Sequence, residues 1–459
     1  MKTISPVDGR VYVERAPAAD AEIEATLQRA RAAQLPWRRV PLAERAALME
    51  RFCVAFESRG AEIGSELSWQ MGRPIRYAPN EVRGTLERAR YMIGVAAAAL
   101  ADLEPGPKPG FRRFIRREPL GVVFTVAAWN YPYLIAVNSV LPALLAGNAV
   151  ILKHSAQTPL CAERFAECFA AAGLPPGVFQ VLHLEHPDTE RVIRDTRVDF
   201  VAFTGSVAGG RAVQRVAAER FIGVGLELGG CDPVYVRHDA DVAHAIENIV
   251  DGAYFNSGQS CCGLQRIYVH ESVHQRFTAG CIDLIRQYRL GDPLDPATTL
   301  GPVVRTAAAD TIRTQLRAAI AAGARPVIEE REFALSRPGT PYLAPQLLLD
   351  APPDSVVMRE EIFGPVAGVM KVHSDAEAVQ RMNDSPFGLT AAIWTRDEAA
   401  ALAIGAQVDT GTWFMNRCDY LDPALAWVGV KDSGRGCTLS VVGYEHLTRP
   451  KSFHLRVTT

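Results

Sequence analysis

The sequence predicts an α/β protein with two α/β domains, each organised around a sheet of parallel type. Three observations carry that expectation. Short, β-rich apolar runs at 121–129, 149–153, 178–182, 199–203 and 223–228 are separated by helical stretches, the alternation of βαβ units. Beyond Gly229 and Gly230 the alternation restarts, with strands expected near 266–270, 366–372, 389–395 and 411–416 and helices at 240–255, 303–323 and 396–407. Finally, 459 residues, of which 48% are hydrophobic and 22% charged, suffice for two or three buried cores.

Ahead of the first apolar run the pattern is helical. Residues 20–33 place Ile23 and Leu27 on one face, with Asp20 as the expected N-cap, Glu22 in the first turn, and Arg29 and Arg31 late, where the helix dipole favours cations. A second helix is expected from Pro41 to Gly60, with Leu48, Phe52 and Ala55 at helical spacing. A Pro/Gly cluster at 105–110 then breaks the pattern. FRRFIRR at 111–117 and KSFHLRV at 451–457 mix apolar and basic residues outside both alternations, as edge strands or an assembly surface would.

Charge and composition exclude several classes of function. Forty-nine basic residues against 51 acidic ones, a net charge of −2, provide no general attraction to nucleic acid or to an anionic membrane surface. The most apolar stretch, 133–152, is interrupted by Asn138, Pro142, Gly147 and Asn148 and closed by Lys153, so a membrane span of ~20 apolar residues is not expected. MKTISPVDGR at the N-terminus lacks the apolar core of a secretory signal, from which a cytoplasmic protein beginning near Met1 is expected. The 9 cysteines are scattered, with neither a CxxC pair nor Cys/His ligand spacing, which points to reduced thiols and to no metal site.

The chain has no G-x-G-x-x-G after a strand, no P-loop, no H-E-x-x-H and no G-x-S-x-G. It has five polar clusters in apolar, glycine-containing surroundings. Trp129-Asn130-Tyr131-Pro132 ends a strand and offers an amide donor for a developing oxyanion, or is simply a turn. Phe203-Thr204-Gly205-Ser206, with Gly210 beyond, opens a helix whose N-terminus suits a pyrophosphate. Glu227-Leu228-Gly229-Gly230 sets a carboxylate in an apolar run, where it needs either a partner or a raised pKa, and the latter suits a general base. Asn256-Ser257-Gly258-Gln259-Ser260-Cys261-Cys262 holds a candidate thiol nucleophile without saying which cysteine reacts. Glu361-Ile362-Phe363-Gly364-Pro365 sets a carboxylate and a ring before a Gly-Pro turn.

Taken together, and in this order, the five clusters resemble those of the NAD(P)-dependent aldehyde dehydrogenases, over a span from about Pro6 to Lys451. The separation of Glu227 from Cys261 also fits. The resemblance implies Cys261 as nucleophile with Cys262 its neighbour, Glu227 as general base and Asn130 as oxyanion donor. It implies cofactor contacts at Lys153, Ser155, Gly205, Ser206, Leu228, Glu361 and Phe363, for NAD or NADP. It further implies a cofactor-binding domain (1–103 and 119–229), a catalytic domain (230–437) and an oligomerisation element of a homodimer or homotetramer (104–118 and 438–459). A coenzyme-A-acylating enzyme and a catalytically silent, ligand-binding relative are the alternatives; the joint presence of Cys261, Glu227 and Asn130 weighs against the silent relative, and Glu227 favours hydrolysis over transfer to coenzyme A.

Four departures set further expectations. Where many members read Lys-Pro-Ser-Glu, this chain reads Lys153-His154-Ser155-Ala156, which removes a carboxylate that would repel a 2′-phosphate and leaves Lys153 and His154 to attract one. Ala426-Trp427-Val428-Gly429 replaces Pro-Phe-Gly-Gly near the substrate entrance. The chain starts close to its first motif, from which it is expected to lack the N-terminal extension of longer members. The positions that carry arginines in members acting on succinate semialdehyde hold Asn138 and Phe255, so an uncharged aldehyde is expected, with Tyr131, Phe255, Trp413 and Trp427 near the pocket and Arg417 the one residue placed to supply a cation.

Overall fold

The computed structural model describes residues 1–458. Its first sheet has six strands in the order Gly434–Arg435, Gly223–Glu227, Phe200–Thr204, Val122–Ala127, Ala149–His154 and Phe179–Val181. All neighbours run parallel except Gly434–Arg435, which lies antiparallel to Gly223–Glu227. Strand Val122–Ala127 is buried throughout because both sheet faces are covered, the reason a parallel strand reads as a continuous apolar run. Val123, Val150 and Leu152 face a core made with helices Leu42–Ser58, Ala78–Ala99 and Pro132–Ala146. Val122, Phe124, Val126 and Ile151 alternate to the opposite face, against helices Asp20–Trp37 and Val207–Ala217.

The second sheet has seven strands in the order Arg325–Pro326, Gln346–Leu349, Val366–Val372, Leu264–His270, Asp232–Val236, Thr390–Trp394 and Thr412–Met415, parallel but for Arg325–Pro326. It too separates two cores. Outside both sheets, Phe111–Pro119 pairs antiparallel with Thr448–Arg456 in a two-stranded ribbon, where Phe114 and Phe453 stack at 4.5 Å. The two mixed apolar and basic segments are therefore partners of one another.

The differences from the sequence reading have local causes. Ala19 is the N-cap of the first helix and Asp20 its first residue, so Asp20 meets the helix dipole as a charge and not as a cap. The second helix ends at Ser58, and a further one, Gly60–Met71, starts where a terminator was expected. Helix Ala78–Ala99 was not anticipated, because Glu81, Thr85 and Arg88 interrupt its apolar stripe. Strand Asp232–Val236, central in the second sheet, begins with Asp-Pro, a pair that reads as a turn. The sequence reading placed 434–435 with the second half of the chain; they extend the first sheet.

Candidate functional site

The C-terminal ends of the parallel strands of the first sheet form one edge, which is where an open α/β sheet presents its ligand crevice. After Ala127 the chain turns through Asn130 into helix Pro132–Ala146, with Pro132 in its first turn. The N-terminus of that helix is held by a carboxylate from another helix: Tyr133 N and Leu134 N donate to Glu81 Oε1 at 3.0 and 3.2 Å. Glu81 is paired with Arg73, both buried, and Arg73 Nη2 donates to the Asn130 carbonyl at 2.6 Å. The Asn130 side-chain amide donates to Gln259 O at 3.3 Å, tying it to the cysteine loop. Glu81→Ala leaves Arg73 as a buried, unpaired cation and frees two helix N–H groups. A loss of about 3–5 kcal/mol in unfolding free energy is expected from denaturant titration, with reduced turnover in what remains folded.

The cysteine loop is over-determined. Asn256, Ser257 and Gly258 have φ of 53, 56 and 69°, three successive left-handed residues. They persist because Asn256 Nδ2 donates to the carbonyls of Gln259 and Asn130 at 3.1 and 3.2 Å, Ser257 Oγ to Gly301 O at 2.8 Å, and Val304 N to Gln259 Oε1 at 2.7 Å. A Cβ at Gly258 would lie 2.1 Å from Gly364 O, so only glycine lets the loop close on the Glu361–Pro365 segment. The loop presents Cys261 half-buried on a cavity of about 420 Å³ that Glu227 also lines. Cys262 is buried, and its thiol donates to Asp419 Oδ1 at 3.0 Å. The adjoining Cys261 and burial push the Cys262 thiol well above its ordinary range, and burial raises Asp419 to about 7. The structure thus separates by environment two cysteines that the local sequence left equivalent and that the family resemblance alone had told apart.

Glu227 ends strand Gly223–Glu227, and among the described residues it has no salt-bridge partner. Its carboxylate accepts from Thr204 Oγ1 at 3.1 Å and Thr438 Oγ1 at 2.6 Å. Burial raises its pKa above the ordinary glutamate value, opposed by those two hydroxyls and by Arg88. Gly230 admits the cysteine loop beside it, since a Cβ there would lie 2.3 Å from Cys261 O. Trp427 is buried against the cavity and exchanges backbone hydrogen bonds with Thr438, so the altered segment 426–429 sets the hydroxyl that holds Glu227.

The predicted cofactor residues fall at the same sheet edge. Ser206 caps helix Val207–Ala217, its Oγ accepting from Gly209 N, and Gly205 N donates to Glu227 O at 3.0 Å. Lys153 is half-buried as the penultimate residue of its strand, its pKa lowered by burial, and no carboxylate pairs with it among the described residues. Ser155 Oγ accepts from Gln157 N at 3.2 Å. Leu228 is a core residue, its side chain lying where a Cβ on Gly210 would intrude. Glu361 Oε1 accepts from Gly230 N at 3.0 Å, and burial pushes its carboxyl up to about 7. Phe363, with φ of 53°, meets Trp129 edge-on at 5.6 Å, bringing the Glu361 segment to the Asn130 turn.

Three expectations are corrected. His154 cannot attract a phosphate by charge: it is buried, pushed down to about 3 by burial, and its ring bridges Pro132 O, Ser155 N and Thr158 Oγ1. Trp413 lies in the second-sheet core, its indole donating to Ala401 O. Arg417 stacks on Tyr420 at 3.6 Å and is not among the cavity-lining residues. Tyr131, Phe255 and Trp427 line the cavity as expected. Thr204, Thr438, Arg73, Glu81, Arg88 and Asp419 belong to the site and were not anticipated. Thr204 stood inside the Phe203–Ser206 cluster without a role of its own, and Glu81 and Arg88 left a trace as charges on the apolar stripe of a helix. Among the described residues, no cluster of three His, Cys, Asp or Glu is placed to hold a metal ion, and no helix is long and apolar enough to cross a membrane.

A fold with a ligand crevice at the edge of a parallel sheet, closed by a cysteine loop and a buried glutamate, defines a class of nicotinamide-dependent oxidoreductase. The chain belongs to the aldehyde dehydrogenase family: the model described as "Aldehyde dehydrogenase family" matches residues 1–453. It is an enzyme of aldehyde oxidation. It is 33% identical over 453 residues to a protein of Mycobacterium avium named succinate-semialdehyde dehydrogenase [NADP(+)], covering 98% of this chain and 95% of the relative. Among solved structures it resembles succinic semialdehyde dehydrogenase from Streptococcus pyogenes in complex with NADP+, with TM-score 0.94 and 28% identity over 99% of each chain. It likewise resembles an NAD-dependent aldehyde dehydrogenase from Sinorhizobium meliloti, with TM-score 0.95 and 32% identity over 100% of this chain and 92% of that one.

Proposed function

We propose that the chain oxidises an aldehyde to a carboxylic acid through a thioester on Cys261, with NAD or NADP as oxidant: RCHO + NAD(P)+ + H2O gives RCOO− + NAD(P)H + 2 H+. The observation that carries this reading is the convergence of Cys261 and Glu227 on one cavity, with Asn130 tied to the same loop. The Cys261 thiolate adds to the carbonyl carbon, and the electron pair moves to the oxygen, held by the Asn130 amide. When bound, the nicotinamide cofactor supplies the acceptor for the hydride. The acyl group then rests on Cys261 until Glu227 takes a proton from water, the resulting hydroxide attacks the thioester carbon, and the thiolate leaves. Thr204 and Thr438 aim the Glu227 carboxylate without neutralising it.

The residues at the sheet edge fit the cofactor. The Ser206-capped helix offers N–H groups to a pyrophosphate, Lys153 is a cation with no acidic partner, and Glu361 uses one oxygen on Gly230 N, leaving the other for a ribose hydroxyl. Leu228 is assigned to this region through its backbone. On this reading, segments 1–103 and 119–229 bind the cofactor, 230–437 carry the catalytic loop, and the ribbon of 104–118 and 438–459 joins subunits into a homodimer or homotetramer. The nine cysteines, all free thiols, fit a cytoplasmic enzyme. The name of the mycobacterial relative makes an acid-bearing aldehyde a candidate substrate here, against the uncharged one expected from Asn138 and Phe255.

Purified protein given an aldehyde panel is expected to form NAD(P)H and the free acid at a rate independent of coenzyme A. Coenzyme-A-dependent turnover giving an acyl-coenzyme A would overturn the hydrolytic step, and no NAD(P)H from any aldehyde would overturn the reading. NADP is expected to be used alongside NAD, because Ala156 has no charge to repel a 2′-phosphate and Lys153 attracts one. Lys153→Met is then expected to lower kcat/KM for NADP about 10-fold more than for NAD, roughly 1.4 kcal/mol of charge interaction; equal losses would place the phosphate elsewhere.

A further inference from the structure

Three arginines line the substrate cavity: Arg73, Arg83 and Arg88. They are in different electrostatic states. Arg73 is matched by Glu81. Arg83 is exposed at the rim and donates to Asn80 Oδ1. Arg88, on helix Ala78–Ala99, is 9% exposed, yet its only protein acceptors are neutral: the Leu134 carbonyl at 2.9 Å and Asn138 Oδ1 at 3.2 Å, both from Nη1. No carboxylate lies within 4.0 Å of it among the described residues. The other buried acids of the cavity are engaged elsewhere, Glu227 with two threonine hydroxyls and Asp419 with Ser260 and Cys262.

A guanidinium stays charged at any physiological pH, and burying it without a counter-ion is unfavourable. A protein that keeps such a group on the wall of its substrate cavity, with Nη1 fixed and Nη2 without a protein acceptor, has left the place of the counter-ion to a ligand. We infer that Arg88 is the specificity-determining residue of this enzyme and pairs with a carboxylate at the far end of the aldehyde, so that the substrate class is ω-carboxylate semialdehydes. The inference rests on Cys261 being the reacting thiol, since the same cavity must hold both ends of the substrate. Arg88 and Asn138 work as a pair: the asparagine that fills one arginine position of the semialdehyde-oxidising members orients, by its amide oxygen, a cation delivered from a different helix. Burial lowers the Arg88 pKa from its ordinary value, opposed at longer range by Glu227 and Glu81.

The test compares kcat/KM for succinate semialdehyde and for butanal, an uncharged aldehyde with the same number of carbons, in the intact enzyme. Wild type is expected to favour the acid, and the acid-to-butanal ratio is expected to fall by about 10²-fold in Arg88→Met, the usual effect of removing one member of a buried charge pair. Asn138→Asp sets a carboxylate beside Nη1 without removing any packing, and should lower the same ratio at least ~10-fold by supplying the counter-ion internally. This second variant keeps the test alive if Arg88→Met does not fold. A wild-type preference for butanal, or an unchanged ratio in the folded variants, overturns the inference. A uniform loss on both aldehydes with a shifted kcat pH profile would mean that Arg88 acts on Glu227 and not on substrate. Butanal turnover that persists in wild type and disappears in Cys261→Ala tests the nucleophile separately, so failure of one reading is not mistaken for failure of the other.

Discussion

Cys261→Ala is expected to lose aldehyde oxidation on the order of 10⁴-fold or more, whereas Cys262→Ala is expected to keep turnover within about 10-fold of wild type. The difference follows from where each sulfur lies. Cys261 is half-buried on the substrate cavity beside the Asn130-anchored loop, and Cys262 is buried with its thiol given to Asp419. Thiolate is the nucleophilic form, and Cys262 is held as a thiol by its neighbour and by burial. Losing it leaves Asp419 with Ser260 as partner, an effect of about 1–3 kcal/mol on stability rather than on chemistry. Steady-state rates of both variants, with thermal unfolding to show that each is folded, decide the matter. Equal and severe losses in two folded proteins would remove the assignment.

Glu227→Gln is expected to accumulate thioester: a rapid burst of NAD(P)H close to one equivalent per site, then a steady rate lowered by about 10²–10⁴, because an amide cannot take the proton from water. Its pH profile should change as well. The working form of Glu227 is the carboxylate, and burial raises its pKa, so wild-type kcat should fall as pH drops through a value above the ordinary glutamate range of about 4.3. In the amide variant that acid limb disappears. Thr438→Val, which removes the hydroxyl 2.6 Å from Oε1, should move the limb to still higher pH, since that hydroxyl favours the charged form. A normal steady rate without a burst in Glu227→Gln would show that water is activated by another group.

Much of this protein was legible one residue at a time. Runs such as 121–129 and 366–372 are continuous because both faces of a parallel sheet are covered, and that signal survives in sequence. Asn130, Glu227 and Cys261 were each open to a structural reading alone, as a turn, an ion pair or a core thiol, and became legible only through their combination and order along the chain. Helix Ala78–Ala99 and strand Asp232–Val236 were hidden, since charges on an apolar stripe and an Asp-Pro start obscure the local pattern, and packing overrides it.

What the sequence by itself determined was therefore the alternation of elements, the family and the chemical types at its centre. Burial and the distances between segments far apart in the chain required the folded molecule. Adjacent cysteines became a cavity-lining thiol and a buried one only when Asp419 arrived from 157 residues away. His154, a possible cation in sequence, is kept neutral by loss of solvent, against the opposing pull of the Pro132 carbonyl. The absence of arginine at 138 and 255 argues for an uncharged substrate, whereas helix Ala78–Ala99 sets the Arg88 cation against Asn138, a placement the sequence does not reveal. Charge is a property of a residue type, but whether that charge is solvated, paired or left for a ligand depends on neighbours that only the tertiary fold brings together.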